Sequence, residues 1–139
     1  MCSSDLEQLP DKLGETTQEI GKLLSSQKPV VKEVFSCARN GEFNMQIEKI
    51  QPEHIMLAGI ETHICVYQTA SDLLGGKYQV EIVSDATSSR TQSNIKIGLE
   101  KIKHEGGCLT SVETILFEIQ GTATGEQFWE LIKLIKKFN

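Results

Sequence analysis

The sequence predicts an α/β domain with a mainly parallel sheet that lies between two layers of helices. Apolar runs with the character of strands alternate along the chain with segments whose apolar residues recur at helical intervals. The segment Ile55–Ala58 is apolar at consecutive positions, which is typical of a parallel strand covered on both faces. The connections are short, and 139 residues is the length of one domain. We therefore expect residues 1–139 to form a single three-layer α/β/α domain.

The first half of the chain alternates between predicted helices and strands. Thr16 has the spacing of the N-cap of a capping box, because Glu19 follows it by three positions. A β-branched run after Pro29 predicts a strand. The elements predicted here are a helix over residues 16–24, a strand Val30–Phe35, a short helix over residues 43–50 that stops at Pro52, and a strand His54–Gly59.

The second half continues this alternation, and pairs of glycines mark the ends of two helices. The elements predicted here are a helix over residues 66–74 that ends at Gly75-Gly76, a strand Tyr78–Val83, a helix over residues 95–102 that Gly106-Gly107 closes, a short strand Cys108–Thr110, and the helices Val112–Ile119 and Phe128–Phe138.

The charge balance and the apolar runs argue against several classes of protein. Fourteen basic and nineteen acidic residues give a net charge of -5, so we expect no nucleic-acid partner. No apolar run approaches the roughly 18 residues of a membrane span, so we expect no membrane partner. The N-terminus lacks the basic flank and apolar core of a secretory signal, which predicts a cytoplasmic protein.

The cysteines have the spacing neither of a disulfide framework nor of a metal site. Cys2, Cys37, Cys65 and Cys108 are far apart, and the three histidines complete no metal-binding motif. We therefore expect reduced thiols, no metal and no other cofactor. Cys37 and Cys108 are interpreted as small core residues.

Cys65 follows a predicted strand and falls in the first turn of the next predicted helix. Ligands of open α/β sheets gather at the carboxyl ends of the strands. At a helix start, the dipole and the free backbone N–H groups favour a thiolate, and the same groups can hold an oxyanion. A buried cysteine at such a place can also be a packing residue, so position alone leaves both interpretations open.

Lys32 interrupts the otherwise apolar strand Val30–Phe35. One interpretation is an edge strand on which Lys32 and Glu33 reach solvent. The other is a strand-borne ammonium that supports a thiolate or polarises a substrate carbonyl, since an unpaired charge is costly to bury. The pattern by itself leaves this choice open.

Two motifs together resemble the isochorismatase-like cysteine hydrolases. The first is Gly-Ile-Glu-Thr-His-Ile-Cys-Val over residues 59–66, and the second is Lys32 followed three residues later by Phe35-Ser36. The resemblance extends from about Glu7 to the C-terminus in a consistent order. The further matching residues are Glu7-Gln8, Pro10, Leu13-Gly14, Thr69-Ala70, Asp72-Leu73, Asp85-Ala86 and Ser88-Ser89-Arg90.

The resemblance implies a Rossmann-like fold and a mechanism that uses an Asp-Lys-Cys triad. Cys65 matches the nucleophile that attacks a carbonyl carbon, and Lys32 matches the lysine that supports thiolate formation. A cis peptide bond is implied between Ile60 and Glu61, with the N–H groups of Glu61 and Cys65 turned toward the oxyanion. The implied substrate is a small amide or related carbonyl compound, and no metal is implied.

The aspartate of the triad has no counterpart in this sequence. It lies on the first strand of the family, whereas Asp5 and Asp11 are the only aspartates before Lys32 and neither falls on an apolar strand. We expect a domain that lacks its N-terminal strand and helix and most of its second strand. Because the leader Met1–Leu6 replaces the end of a buried strand with small polar residues, we interpret it as an unnatural junction and the chain as truncated.

Two functions from different classes follow from these observations. The leading one is a cysteine hydrolase, of which this chain is an inactive fragment, and the alternative is a non-catalytic remnant that acts as an interaction or oligomerisation subunit. Without central strands, Val30–Phe35 and His54–Gly59 each lack a neighbour. We therefore expect poor stability or a homo-oligomer formed through exposed sheet edges.

Overall fold

Strands and helices alternate along the computed structural model, which describes residues 3–76 and 78–137. Met1 and Cys2 of the predicted leader and Phe138 at the end of the last predicted helix lie outside the described residues. The helices are α1 (Pro10–Leu13), α2 (Gln18–Leu23), α3 (Gly41–Ile50), α4 (Tyr67–Gly75), α5 (Gln92–His104), α6 (Val112–Gln120) and α7 (Glu126–Ile135).

The described strands form two sheets, and every pair of neighbouring strands is parallel. The first sheet pairs β1 (Leu6–Gln8) with β2 (Val30–Lys32). The second has the order β3-β4-β5, in which β3 is His54–Ile60, β4 is Gln79–Ser88 and β5 is Cys108–Thr110. This confirms the predicted α/β class and its parallel pairing.

The strand β1 corrects the expectation that Val30–Phe35 has no neighbour. Leu6 pairs with Val30, and Gln8 pairs with Lys32. No alternating pattern indicated this three-residue strand in the sequence. β2 is also shorter than predicted, because it ends at Lys32 and the next carbonyl groups turn away from the ladder toward the lysine side chain.

The predicted capping box at the start of α2 is wrong. The N-cap is Thr17, and no side chain caps the helix. The hydroxyl of Thr16 instead donates a hydrogen bond to the carboxylate of Asp5, and its backbone N–H donates to the carboxylate of Glu7. Thr16 therefore joins the helix to the N-terminal segment, and its side chain is not available for capping.

β3 is not covered on both faces as its apolar sequence predicted. Exposed and half-buried residues alternate along the strand, and the side chain of Met56 is on the exposed face. β3 contacts the core through the half-buried Ile55 and Leu57, whereas β4 contributes the buried Val80 and Ile82. The core is one cluster formed by Phe43, Ile47, Val66, Ala70, Leu73, Val80, Ile82 and Ile102.

The pairing of β3 with β4 shifts register near the carboxyl end of the sheet. Leu57 pairs with Ile82, but Gly59 pairs with Thr87, so β4 bulges away from its neighbour between these points. Gly59 has a φ of 115°, a backbone conformation that favours glycine. The shift brings the end of β4 beside the turn that follows β3.

Helix α5 presses directly on that turn at Gly98. A Cβ atom at position 98 would lie 2.9 Å from the Cα and N atoms of His63 and from the carbonyl carbon of Thr62. Real Cβ atoms do not approach backbone atoms so closely, so any side chain larger than hydrogen moves the helix or the turn. The separation of α5 from the turn therefore depends on glycine.

We predict that Gly98→Ala lowers the free energy of unfolding by about 1–3 kcal/mol, the usual cost of overpacking a tight contact. Urea unfolding measures this change. The matched control is Gly21→Ala in α2, where a Cβ atom meets nothing within 4 Å and alanine suits the helix. Equal stability of the two variants would contradict the close contact.

Candidate active site

The ammonium of Lys32 is buried at the end of β2, where its side chain is surrounded by oxygen acceptors. The residue is 4% exposed. Its Nζ atom donates to Oε1 of Gln8 at 2.5 Å and to the carbonyl oxygens of Val34 and Phe35 at 3.1 Å each. An ammonium has three N–H donors, so these three oxygens satisfy it. Lys32 therefore does not reach solvent from an edge strand.

Cys65 lies beside this ammonium. Its Sγ atom is 3.9 Å from Nζ of Lys32, although the two residues are far apart in the sequence. Cys65 belongs to a wide π-helical turn, Thr62–Val66, which leads directly from β3 into α4. The structure thus brings together the two residues that the sequence motifs selected.

The turn that carries Cys65 begins with the cis peptide bond between Ile60 and Glu61. The carbonyl oxygen of Glu61 accepts hydrogen bonds from the backbone N–H groups of Ile64 and Val66, at 3.0 and 3.2 Å. These bonds close the turn around Cys65. The side chain of Ile60 points outward and is 72% exposed.

The side chains around this turn form a small polar network at the end of β4. The carboxylate of Glu61 forms an ion pair with the guanidinium of Arg90, whose Nε atom lies 2.9 Å away. Nδ1 of His63 lies 3.1 Å from the hydroxyl of Ser89 and 3.5 Å from the same Glu61 carboxylate. His63 and Arg90 therefore connect the turn to the residues at the end of β4.

Two contacts connect the segment after β2 to helix α4. The backbone N–H of Cys37 donates to the hydroxyl of Thr69 at 2.9 Å. The guanidinium of Arg39 binds the carboxylate of Asp72 through two hydrogen bonds of 2.8 and 3.1 Å. We call these two contacts the clamp. Because β2 carries Lys32 and α4 follows Cys65, the clamp holds the two candidate residues together.

The three described cysteines have different surroundings, and none is in a disulfide. Burial raises the pKa of the Cys37 thiol, while its hydrogen bond with Thr69 and the charge of Lys32 act in the opposite direction. Cys108 is exposed on the edge strand β5, so the prediction that it is a core residue is wrong. Only Cys65 has a direct contact with the ammonium of Lys32 among the described cysteines.

No described carboxylate forms an ion pair with Lys32. Asp5 accepts a hydrogen bond from Thr16, and Asp11 lies in the first turn of α1. Neither aspartate takes the place of the triad base. Across residues 3–76 and 78–137, no group of three metal-binding side chains comes together, and no helix is long and apolar enough to cross a bilayer.

Sequence reasoning did not identify Gln8 or the clamp as parts of the site. In the sequence, Gln8, Thr69 and Asp72 stand only within segments that resemble the family, and no motif gives them a role. The missing signal was the pairing of β1 with β2, since a three-residue strand has too few positions to show an alternating pattern. Once that register is known, Gln8 is placed opposite Lys32.

The Arg39–Asp72 contact predicts a pH-dependent contribution to stability. The hydrogen bonds from Arg39 hold the pKa of Asp72 below its ordinary value. A carboxyl with a lowered folded-state pKa stabilises the fold above its unfolded-state pKa of about 4, and this contribution is lost as the pH falls through the folded-state value. The difference in unfolding free energy between wild type and Asp72→Asn should therefore be constant near neutral pH and shrink below about pH 4.

Urea unfolding between pH 2.5 and 7 measures this difference. The control is Glu100→Gln, because Glu100 pairs only with Lys103 on the surface of α5 and does not connect the two sheets. An Asp72→Asn difference that stays the same at all pH values would contradict the predicted linkage.

Comparison with known protein families gives a match over most of the chain. The model of the isochorismatase domain matches residues 4–114. A secreted isochorismatase effector, Isc1 of Phytophthora sojae, is 38% identical over 136 residues, which cover 94% of this chain and 64% of that protein. Isochorismatase domain-containing protein 2 of Bos taurus is 35% identical and is covered to 63%. The chain thus spans less than two thirds of the length of these relatives.

Solved structures show the same similarity. The MAR1 ribonuclease of Caenorhabditis elegans superimposes with a TM-score of 0.83 at 30% identity, over 94% of this chain and 67% of that one. The YcaC protein of Escherichia coli, described as an octameric hydrolase of unknown specificity, has a TM-score of 0.83 over 96% of this chain and 71% of its own. At 12% identity, the YcaC comparison shows the fold alone. Because the isochorismatase domain matches residues 4–114 and these relatives share up to 38% identity with the chain, the chain belongs to the isochorismatase family.

Proposed function

We propose that this chain has the catalytic chemistry of a cysteine hydrolase that acts on a small amide or related carbonyl compound. Cys65 is the nucleophile, and Lys32 supports its thiolate. The observation that carries the proposal is the 3.9 Å contact between Nζ of Lys32 and Sγ of Cys65. A nearby positive charge favours the charged form of a thiol, which is the nucleophilic form.

In the proposed reaction, the thiolate of Cys65 forms a bond to the carbonyl carbon, and an electron pair moves to the carbonyl oxygen. We propose the backbone N–H groups of Glu61 and Cys65 as donors to this oxyanion, because both belong to the turn beside the sulfur. When the oxyanion collapses, the bond to nitrogen breaks, and the leaving amine takes from solvent the proton that the thiol lost when its thiolate formed. Water then hydrolyses the thioester to a carboxylic acid and restores the thiol.

Hydrolysis of the thioester is the step for which the described residues provide no evident catalytic base. A base must take a proton from the attacking water, and no described carboxylate pairs with Lys32. We therefore expect acylation of Cys65 with little turnover. Members of a catalytic unit are strongly non-additive, so absence of the base costs nearly as much as absence of the nucleophile.

A small-molecule substrate fits the charge of the chain better than a nucleic acid does. The net charge is -5, whereas nucleic-acid binding depends on positive charge that neutralises phosphates. The four cysteines do not have the spacing of a disulfide framework in the sequence, and we therefore propose a reducing compartment such as the cytoplasm. The proposal therefore combines a small carbonyl substrate with an intracellular location.

We predict that iodoacetamide alkylates Cys65 before Cys37 and Cys108 at pH 6, because Cys65 alone among these three has the Lys32 ammonium as a direct neighbour. Lys32→Met should slow the alkylation of Cys65 by about tenfold or more, the usual effect of a charge within 4–6 Å. Peptide mass spectrometry at timed intervals measures each site. Faster labelling of the exposed Cys108, or an unchanged rate in Lys32→Met, would contradict the pair.

We also predict that residues 1–139 hydrolyse a simple amide such as nicotinamide with little or no turnover. Ammonia release measures this activity, and Cys65→Ala provides the background. Cleavage of a single-stranded RNA is measured in parallel, and none is expected. Robust nicotinamide turnover that Cys65→Ala abolishes would show that the described residues contain a sufficient base.

A second candidate function is that of an interaction or oligomerisation subunit. Helices α6 and α7 contain no buried residue among those described, and they expose Ile119, Trp129 and Leu134. Exposed apolar patches commonly mark interaction surfaces. Light scattering coupled to size-exclusion chromatography tests this candidate, and a monomer at all concentrations would count against it.

A further inference from the structure

The side-chain amide of Gln8 bridges the ammonium of Lys32 and the backbone of Glu33, the residue that follows β2. Its Oε1 atom accepts from Nζ of Lys32 at 2.5 Å, and its Nε2 atom donates to the carbonyl oxygen of Glu33 at 2.8 Å. Both contacts follow from the parallel register, in which Gln8 pairs with Lys32. The amide therefore uses its two ends on two consecutive residues, Lys32 and Glu33.

These two contacts allow only one orientation of the amide. A rotation of 180° would place the NH₂ group against the ammonium of Lys32 and the amide oxygen against the carbonyl oxygen of Glu33. Both new contacts would be repulsive, since each would join two donors or two acceptors. The carbonyl group of Glu33 thus fixes the amide so that its oxygen faces Lys32.

Gln8 provides the one oxygen acceptor of Lys32 that does not come from the segment directly after the lysine. The other two oxygens are the backbone carbonyls of Val34 and Phe35, which follow Lys32 directly in the chain. Lys32 is 4% exposed, so water has little access to replace a lost acceptor. A buried ammonium that loses a partner is destabilised relative to its neutral form or moves toward solvent.

We propose that Gln8 is a positioning residue, which holds Lys32 as an oriented ammonium beside Cys65 without touching the substrate. This inference rests on the proposed function, because it assumes that Lys32 and Cys65 act as a pair. Nζ of Lys32 lies closer to all three oxygens than to the sulfur, so the oxygens determine where the charge is. Gln8 is the one of these three partners that lies on β1, so it fixes the position of the ammonium from outside the lysine's own strand.

The test is the pH dependence of alkylation of Cys65 by iodoacetamide in Gln8→Met. Methionine has a similar length and no strong acceptor, so Lys32 loses one oxygen at little change in volume. The rate at pH 6 should be about tenfold slower than in the wild type, because the positive charge is no longer held beside the sulfur. The matched control is Gln79→Met, an exposed glutamine at the start of β4, which should leave the curve unchanged.

A double variant separates this inference from the proposed function. If Gln8 acts through Lys32, then Gln8→Met should slow alkylation no further in the Lys32→Met background. Additive effects of the two substitutions would overturn the positioning role. An unchanged curve in Lys32→Met would overturn the proposed pair itself, whereas a shift in Lys32→Met but not in Gln8→Met would overturn the role of Gln8 alone.

Two further outcomes would also overturn the inference. Faster alkylation of Cys65 at pH 6 in Gln8→Met would mean that Gln8 competes with the sulfur for Lys32. Urea unfolding is measured for every variant, and Gln8→Leu is prepared alongside. If both Gln8 variants are unfolded where Gln79→Met is folded, Gln8 serves the fold and not the orientation of the ammonium.

Discussion

The burial of one ammonium group organises the structure around the site. A charged lysine excluded from solvent needs acceptors on every donor, and the chain supplies them at the cost of regular secondary structure. β2 ends at Lys32 because the carbonyl groups of Val34 and Phe35 leave the strand to bind the side chain. β1 contributes the third oxygen through Gln8. The pairing of β1 with β2 therefore also determines where the charge of Lys32 lies.

The two sheets are held to each other by side chains in the described part of the chain. No described strand hydrogen-bonds across from β1-β2 to β3-β4-β5, and the clamp from Cys37 to Thr69 and from Arg39 to Asp72 takes that role beside the site. Side-chain contacts open more readily than a continuous ladder, because each can be lost independently. The distance between Lys32 and Cys65 therefore depends on residues that do not themselves take part in chemistry.

Much of this architecture could be predicted from local patterns, and the failures have a common cause. The glycine pairs at residues 75–76 and 106–107 ended their helices as expected, and the strand Cys108–Thr110 was found with its bounds. The family motifs in the sequence already indicate that Lys32 and Cys65 belong to the same site. What the sequence could not show depended on long-range partners: the strand β1, the early end of β2 and the exposure of Cys108. The strand β1 and the exposure of Cys108 are decided by which strands lie beside them, and the early end of β2 is decided by the burial of the Lys32 ammonium.

Helix α5 meets the turn of Cys65 through backbone atoms, because Gly98 has no side chain to hold them apart. A contact of this kind has no adjustable part, so the spacing between helix and turn is independent of which side chains cover the rest of the helix. The surface of α5 can therefore change its charge or its partners during evolution while the sulfur keeps its place. Gly98 is therefore the position of α5 at which substitution would displace the turn of Cys65, whereas the exposed positions of the helix can change without moving it.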